Sequence, residues 1–482
     1  MLEELKNNQE KNQENNQEKN QEIIKNIKIS SDTIPNTIPE IRIAVGGNID
    51  AGKSSFVGVM TQNVLDNGRG YARSFVMKHK HELESGRTSV VVQHYIRNED
   101  KIIEFTDLAG HEKYLKTTIK GISGCLIDYV AIIINANTGI QLMTREHISL
   151  VYTLRIPMFI VYTKTDLCPP NIYKMNLDYI TTYYKKKMGL TTTFITNDEE
   201  RKEIQSSFTK GTKIVPLFSI SNVSGNGVEL VKQFIKELEL YTNYKDVYNE
   251  TTNFIVSKSY IVNGIGLIIS GVMKRGTVKK GDILYIGPNG NGFLRDENNI
   301  ILDKNKLSKK MITKIVTKIE TSKIETSKTE TSKTEQDFNN YYKVVIKNIH
   351  NNFKESVDIL YAGQSGCFNI KPYSNKTLLK RNMIKKGMRL LSVLNSVSEF
   401  DAKIKILHNP STITKKYQPT INCEGISQSV KIVEMDKEYL RSFDEANVRF
   451  KFMYKPEVVE AGSLFLFREG LTKGIGKIIN VY

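Results

Sequence analysis

Several features that would narrow the function are missing from this 482-residue chain. It has only four cysteines, without a CxxC pair or another ligand-like spacing, so the sequence indicates neither disulfides nor a zinc site. No apolar run approaches the roughly 18 residues that span a bilayer. No short apolar stretch with a cleavage site opens the sequence. We therefore expect a cytoplasmic protein that does not act in a membrane.

Charge is the feature of composition that points towards a partner. The formal net charge is +17, and residues 1–38 contain five lysines against six glutamates and one aspartate, so the remaining residues carry +19. Such an excess favours a polyanionic partner, because neutralised phosphates release counterions. An AT-rich genome, as in a parasite or a large DNA virus acting in host cytoplasm, would also produce a Lys-, Asn- and Ile-rich chain. Charge leaves both interpretations open.

Two segments of biased composition stand apart from the rest. NNQEKNQE occurs twice in succession, at Asn7–Glu14 and Asn15–Glu22, in a stretch without aromatic residues. Because such a stretch buries too little apolar surface to offset the entropy of ordering, we predict a disordered tail over residues 1–38. The five-residue units IETSK, IETSK and TETSK follow one another through Ile319–Lys333. They predict a surface insertion over about 303–338, since long surface loops add little closure entropy.

Between these segments, short apolar runs alternate with longer helical stretches. The runs are IRIAVG (41–46), IIEFT (102–106), YVAIIIN (129–135), MFIVYT (158–163) and KIVPLF (213–218). Continuous apolar runs are typical of strands buried on both faces, as in a parallel sheet covered by helices. This pattern predicts an α/β domain.

From about residue 250 the sequence changes to many short β-type runs with glycine-containing turns, such as YIVNGIGLIISGVM and NVRFKFMY. Little helix is indicated there, which favours β-barrels or sandwiches. A break near 395–400 divides this half into two modules. The predicted organisation is a tail (1–38), an α/β P-loop domain (39–246), a β-barrel with the insertion (247–395) and a second β-barrel (396–482).

A phosphate-binding pattern follows the first predicted strand. The stretch GNIDAGKS at 47–54 is a full GxxxxGK[ST] between a strand and a helix. Its glycines let backbone N–H groups surround phosphate oxygens, and the helix contributes its positive end. Lys53 is expected to reach the β- and γ-phosphates and the Ser54 hydroxyl to ligate Mg²⁺. The expected binding residues of this loop are Gly47, Asn48, Ile49, Asp50, Ala51, Gly52, Lys53, Ser54 and Ser55.

Three later motifs, each at the end of a predicted strand, favour a guanine nucleotide. They are DLAG, with Asp107 for Mg²⁺ through water and Gly110 for the γ-phosphate; TKTD, with Thr163, Lys164 and Asp166; and SNV, with Ser221, Asn222 and Val223. A carboxylate accepts both N1–H and N2–H₂ of guanine, so Asp166 predicts selectivity for that base. The Lys164 stem would cover the base, and a backbone N–H of SNV would reach guanine O6. Each motif is weak alone, but their order and spacing make the combination specific.

Together these motifs resemble those of the translational GTPases, the class of elongation factor Tu. GNIDAGKSSFVGVMT, HELESGRTS, DLAGHEKYLKTT and TKTDLCPPN are most similar to the subfamily of GTP-binding proteins 1 and 2. VNGIGLIISGVMKRGTVKKGD and SLFLFREGLTKGIG resemble the two β-barrels of that class. The resemblance covers roughly residues 40–482 without the insertion, and it implies a G domain followed by two barrels.

The resemblance also implies roles for individual residues. Thr88 would bind Mg²⁺ when the γ-phosphate is present, and His111 would orient the attacking water. The implied catalytic residues are therefore His111, Lys53 and Thr88, the implied metal set is Ser54, Thr88 and Asp107 through water, and the cofactors are GTP or GDP with Mg²⁺. Thr163 departs from the class, which usually has Asn there, so we expect one hydrogen bond to the base or the loop to be shortened or lost.

The implied partners are the ribosome and an aminoacyl-tRNA or tRNA-like RNA, bound by a monomer in the cytoplasm. Two other interpretations stay open. The chain could be an RNA-surveillance or ribosome-rescue adaptor with weak or vestigial GTPase activity. It could also be a GTPase subunit of a metabolic enzyme, since sulfate adenylyltransferase uses a similar three-domain body, although HELESGRTS disfavours this.

Overall fold

The computed structural model describes residues 38–77, 92–108, 110–111, 126–208, 212–240, 242–289, 340–374, 379–470 and 472–482. The predicted insertion and the predicted tail, apart from its last residue, lie outside these ranges. No helix in the described ranges is long and apolar enough to cross a membrane.

The amino-terminal domain is built on a seven-stranded sheet in the order β2-β3-β1-β4-β5-β7-β6. Its strands are β1 (Glu40–Gly47), β2 (Val92–Arg97), β3 (Ile102–Asp107), β4 (Tyr129–Asn135), β5 (Met158–Thr163), β6 (Thr191–Ile195) and β7 (Ile214–Ser219). Every residue of β1, β3 and β5 is buried. The five predicted strands are present, and their continuous apolar runs lie at the centre of the sheet as expected.

The sheet contains one antiparallel pairing and two strands that the sequence pattern did not predict. All pairings are parallel except that β2 pairs with β3 in the antiparallel direction. The sequence pattern did not reveal β2 and β6, which form the two edges and are largely half-buried or exposed. Edge strands contact neighbours on one side only, so their sequences VQHYIR and TTTFI do not need a continuous apolar run.

Helices cover both faces of the sheet and begin and end at recognisable signals. They are α1 (Lys53–Gln62), α2 (Tyr71–Ser74), α3 (Leu142–Thr153), α4 (Pro170–Met188), α5 (Asp198–Ser207) and α6 (Val228–Glu237), with short 3₁₀ turns at Thr165–Leu167, Tyr244–Val247 and Arg381–Met383. Pro170 is at the first position of α4, where its missing N–H is not needed, and Gly189 ends that helix with a φ of 66°.

The first barrel closes because β11 pairs with both β16 and β12 in the ring β11-β16-β8-β9-β15-β12. Its strands are β8 (Asn253–Val262), β9 (Gly266–Arg275), β11 (Ile283–Gly287), β12 (Tyr342–Asn351), β15 (Ser365–Pro372) and β16 (Arg389–Leu391), with β10 (Thr277–Lys279), β13 (Ser356–Val357) and β14 (Ile359–Tyr361) beside them.

The second barrel is closed in the order β17-β20-β19-β18-β21-β22. Its strands are β17 (Glu399–His408), β18 (Thr420–Cys423), β19 (Ile426–Met435), β20 (Glu445–Phe452), β21 (Leu464–Glu469) and β22 (Thr472–Val481). Alternate side chains of β17 and β20 are buried, as the period of two requires. The predicted fold class, an α/β domain followed by two β-barrels, is confirmed.

Each barrel contacts the amino-terminal domain through a strand or helix of that domain. At the first barrel, the buried guanidinium of Arg42 on β1 pairs with Glu40 at 2.8 Å and donates to Ser365 Oγ at 2.9 Å. At the second barrel, Lys473 forms an ion pair with Glu146 of α3. The interface is apolar around this pair, because Leu466 belongs to the same buried cluster as the residues of β4 and α3.

A charged cluster around Glu424 joins the two barrels. The carboxylate accepts hydrogen bonds from Lys274 at 2.7 and 2.8 Å, from Arg389 at 3.2 Å and from Ser463 at 2.9 Å. Burial by itself raises the pKa of Glu424, but the positive charges of Lys274 and Arg389 outweigh it and lower the pKa to about 2. Lys274 also donates to Glu460 at 2.8 Å, so the network extends along the interface.

We expect Glu424→Gln to lower the free energy of unfolding by about 2 kcal/mol at pH 7, because it leaves the buried Arg389 and the partly buried Lys274 without their carboxylate. The folded pKa lies below the ordinary value of 4.5. The carboxylate therefore stabilises the fold above pH 4.5, and this contribution is lost as the pH falls towards 2. Urea unfolding of both proteins at pH 7 and pH 3.5 measures the effect.

The matched control is Glu445→Gln, which removes a carboxylate whose pair with Lys405 is about half exposed. We expect this variant to leave the free energy of unfolding nearly unchanged, because water screens an exposed ion pair. Equal effects of the two substitutions, or a Glu424→Gln effect that grows as the pH falls, would contradict the assigned role of the cluster.

Candidate nucleotide-binding site

The predicted site residues follow the carboxyl ends of adjacent parallel strands. Val45 of β1 is in register with Asp107 of β3, and Gly47 is in register with Ile133 of β4. Thr163 ends β5 one strand further along the sheet. Because parallel strands end at the same edge, the sheet brings the four predicted motifs to one place, where ligands bind in open α/β sheets.

Glycine is needed at two positions of the loop between β1 and α1. Gly47 has a φ of 143°, and a Cβ there would lie 2.3 Å from the carbonyl oxygen of Ile133. Gly52, with a φ of 89°, is the residue immediately before α1. A side chain at either position would strain the backbone or move it, so the loop keeps its curvature and directs the amino end of α1 towards its interior.

Lys53 crosses the loop and contacts the DLAG motif. Its Nζ donates to the carbonyl oxygen of Asn48 at 2.7 Å, and a Cβ at Gly110 would lie 2.3 Å from the same Nζ. Burial lowers the pKa of Lys53. A phosphate at this position would offset that effect, because an opposite charge favours the protonated amine. The glycine of DLAG thus lies against the lysine of the loop, and any larger residue would displace it.

Ser54 and Asp107 form the oxygen pair expected for Mg²⁺. The buried Ser54 hydroxyl donates to Asp107 Oδ2 at 2.7 Å. Hydroxyl and carboxylate oxygens suit this hard cation, which usually keeps water and phosphate oxygens as its other ligands. Within the part of the chain that the structure describes, no group of three or more His, Cys, Asp or Glu residues could hold a metal by itself. The pair therefore fits Mg²⁺ held jointly with a nucleotide.

TKTD connects the loop to the SNV segment. The buried hydroxyl of Thr163 donates to the carbonyl oxygen of Ala51 at 2.7 Å, and Thr165 Oγ1 donates to the carbonyl oxygen of Ile220 at 3.0 Å. The expected weakening of a hydrogen bond at position 163 does not affect the loop, since this contact is present. Lys164 has a φ of 58°, and the side chain of Asp166 is exposed at the same edge.

The SNV segment is a tight loop held by its own serine. Ser221 Oγ accepts hydrogen bonds from the backbone N–H groups of Val223 at 3.2 Å and Ser224 at 3.1 Å. Asn222 is buried, with 8% of its surface exposed, whereas Val223 is 41% exposed. This segment lies close to the phosphate loop at Gly52. A Cβ at Gly52 would lie 3.7 Å from Asn222 Nδ2 and 3.7 Å from Thr163 Oγ1.

The remaining predicted residues lie around this centre or outside the described ranges. Ile49 is partly exposed, and the exposed Asp50 has a φ of 57°. Ser55 Oγ lies 3.5 Å from Asp66 Oδ2 on the side of α1 away from the lysine. His111 is partly exposed and directly follows Gly110. Thr88 lies outside the described residues.

His147 of α3 was missed in the sequence. It is fully buried, and its Nδ1 accepts the backbone N–H of Gly47 at 2.8 Å. Burial, followed by the charge of Lys53, lowers the pKa of His147 to about 3, so the ring is neutral and Nδ1 is free to accept. Helical spacing was the available signal, because the side chain falls on the same buried face as Met143 and Val151.

Comparison with known proteins shows which family this chain resembles. Residues 39–245 match the family model of the elongation factor Tu GTP-binding domain. Over 471 residues the chain is 33% identical to GTP-binding protein 1 of Xenopus laevis, a match that covers 92% of this chain and 64% of that protein's length. The amino-terminal domain is therefore similar to the GTP-binding domain of elongation factor Tu, and the chain as a whole is similar to GTP-binding protein 1. The resemblance stated from the motifs is confirmed.

Two solved structures show the same fold as this chain. One is the translation elongation factor SelB of Methanococcus maripaludis with the GTP analogue GppNHp, at a TM-score of 0.59 and 18% identity, covering 92% of this chain and 80% of that one. The other is the GTP-bound GTPase-like domain of S. cerevisiae Ski7, at a TM-score of 0.65 and 11% identity, covering 94% and 99%.

Replacing His147 tests its contact with the phosphate loop. The folded protein keeps the ring neutral down to about pH 3, whereas the unfolded chain takes up a proton near pH 6.5. The unfolded state therefore binds more protons in this window, and stability falls as the pH falls through it. We expect His147→Asn, which keeps an acceptor near Nδ1, to remove up to about 2 kcal/mol of the stability lost between pH 6.5 and pH 5. Urea unfolding at the two pH values measures the difference.

His147→Leu is the matched variant without an acceptor. It should show the same flatter pH dependence as His147→Asn but bind GDP several-fold more weakly, because the Gly47 N–H loses its partner. A pH dependence unchanged in both variants would contradict the neutral buried ring.

Proposed function

We propose that this protein binds GTP with Mg²⁺ and hydrolyses it to GDP and phosphate as a conformational switch in translation. The observation that supports this most directly is the 2.7 Å hydrogen bond between Ser54 and Asp107, beside a lysine that is enclosed by the loop and Gly110. These groups are the oxygen ligands and the positive charge that phosphoryl transfer needs in one place.

Different residues of the loop and its neighbours would bind the phosphates, the Mg²⁺ ion and the base. Backbone N–H groups of Gly47–Ser54 and the Lys53 ammonium would hold the β- and γ-phosphates. Ser54, Asp107 through water, and Thr88 would hold Mg²⁺, which neutralises phosphate charge when bound. Asp166 would accept from N1–H and N2–H₂ of guanine, with Lys164 along the base. The SNV backbone would donate to O6.

Hydrolysis would depend on positioning rather than on covalent chemistry. His111 orients a water for attack on the γ-phosphorus, and Lys53 together with the loop N–H groups stabilises the charge that develops. The Gly110 N–H would bind the γ-phosphate, and Thr88 would bind Mg²⁺ only while the γ-phosphate is attached. Loss of that phosphate releases both segments and changes the contacts with the barrels.

The proposed partners are the ribosome and an aminoacyl-tRNA or tRNA-like RNA, met by a monomer in the cytoplasm. The match to the elongation factor Tu GTP-binding domain and the shared fold with the translation factor SelB support this role. The net +19 of residues 39–482 supports a polyanionic partner.

An RNA-surveillance or ribosome-rescue adaptor with weak GTPase activity is the second candidate. It is favoured by the fold shared with the GTPase-like domain of Ski7. Both candidates bind GTP, and they differ in whether hydrolysis is part of the cycle. The difference therefore depends on His111 rather than on the phosphate loop.

Stimulated hydrolysis separates the two candidates. We expect ribosomes to accelerate GTP hydrolysis by the purified protein and His111→Ala to reduce the stimulated rate about 100-fold, since a positioned group typically contributes that much. The variant should bind GTP as well as the wild type, because His111 is not part of the phosphate cradle. Phosphate release under single-turnover conditions, together with the GTP affinity, measures both effects.

His408→Ala is the matched control, since it removes an exposed histidine at the end of β17 in the second barrel. It should keep the stimulated rate. GTP binding without stimulated hydrolysis in the wild type would favour the adaptor. Absence of GTP binding would contradict both candidates.

Salt dependence tests the proposed RNA partner. If the positive surface neutralises phosphates, the association constant for tRNA should fall steeply between about 50 and 200 mM salt, by about tenfold or more. Filter binding with tRNA at several salt concentrations measures the slope. A flat response would contradict an interface dominated by phosphate contacts.

A further inference from the structure

The carboxamide of Asn222 has hydrogen-bonding capacity that the described residues do not use. Only 8% of the residue is exposed, and its Oδ1 is buried without a hydrogen-bond partner among the described residues. Its Nδ2 lies 3.7 Å from the point where a Cβ of Gly52 would be. The amide is therefore enclosed at the point where the phosphate loop, TKTD and SNV meet. A buried acceptor without a partner destabilises a fold, so the position of this carboxamide indicates contact with a bound molecule.

The backbone around Asn222 is fixed, so this position is not due to a loose loop. The carbonyl oxygen of Asn222 accepts the N–H of Asp66 at 2.8 Å, and Ser221 Oγ accepts two N–H groups from the residues that follow. The segment is thus held from both sides of the residue, and the direction of the side chain follows from that backbone.

The side chain of Thr163 has no hydrogen-bond donor left for the base, so a donor from another residue is needed here. A threonine hydroxyl has one proton, and Thr163 uses it on the carbonyl oxygen of Ala51 at 2.7 Å. An asparagine at this position would have two N–H donors, enough for the loop and the base together. Position 163 therefore retains the contact with the loop but has no donor left for the base.

We propose that Asn222 supplies the missing donor through its side chain, with Nδ2 donating to N7 of the bound guanine. Guanine presents two acceptors, N7 and O6, along one edge. A backbone N–H of SNV is proposed to donate to O6, and the side chain of Asn222 in the same segment would donate to the neighbouring acceptor. This inference rests on the proposed binding of GTP and assigns to the Asn222 side chain a contact with the base.

The contact can be tested with a nucleotide that lacks only the acceptor. In 7-deaza-GDP a carbon replaces N7, so a hydrogen bond to that position cannot form. We expect the wild type to bind 7-deaza-GDP about fivefold more weakly than GDP, the loss typical of one neutral hydrogen bond. Asn222→Ala should bind GDP about fivefold more weakly than the wild type and should not distinguish the two nucleotides. Isothermal titration with each nucleotide gives all four affinities.

Three further variants keep the test decisive. Asn222→Leu has a similar volume without a donor or a charge and should behave like Asn222→Ala, while circular dichroism checks that both are folded. Thr163→Asn combined with Asn222→Ala should prefer GDP over 7-deaza-GDP again, because the asparagine places an amide donor at position 163. Ser224→Ala changes an exposed residue of the same loop and should keep the wild-type preference.

The outcomes separate the inference from the proposed function. If the wild type binds GDP and 7-deaza-GDP equally, or if Asn222→Ala still prefers GDP, the side-chain contact is absent while guanine nucleotide binding stands. If the wild type binds neither nucleotide, the proposed function fails together with the inference.

Discussion

The guanidinium of Arg42 is fully buried where the amino-terminal domain meets the first barrel, and it depends on partners from both sides. Glu40 lies in the same strand, β1, whereas Ser365 and the carbonyl oxygen of Gly363 come from the barrel. Leaving a buried charge without partners destabilises a protein strongly, so this contact constrains how the two domains sit together. The other end of β1 continues into the phosphate loop, so one strand carries both features.

Helix α3, like strand β1, connects the phosphate loop with a barrel. Helix α3 contacts the phosphate loop through His147 and the second barrel through Glu146, its neighbour in sequence. The barrels are joined to each other around Glu424. Packed contacts therefore connect the loop to both barrels and the barrels to each other. This is the linkage that a nucleotide-dependent switch requires, because the ligand must contact the two states of the domain arrangement differently.

Much of this fold could be predicted because its central strands are marked locally. The run YVAIIIN is apolar up to its last residue because every residue of β4 before Asn135 is buried. The edge strands β2 and β6 carry no such mark, and the partners of Arg42, more than 300 residues away, depend on tertiary packing. For the same reason the site residues with a fixed spacing were named in advance, whereas His147 was not. Its contact with Gly47 spans 100 residues and belongs to no motif.

The proposed binding and the proposed hydrolysis depend on different parts of this site. The cradle is built from backbone geometry and from buried groups that support one another: Gly110 fits against Lys53, and Ser54 against Asp107. Removing one of these groups disturbs the others, so the cradle persists as a unit. His111 is partly exposed beside Gly110, and none of these contacts is made by its side chain. The proposed binding of GTP therefore rests on the cradle, whereas the proposed hydrolysis rests on His111, so the fold by itself supports only the first.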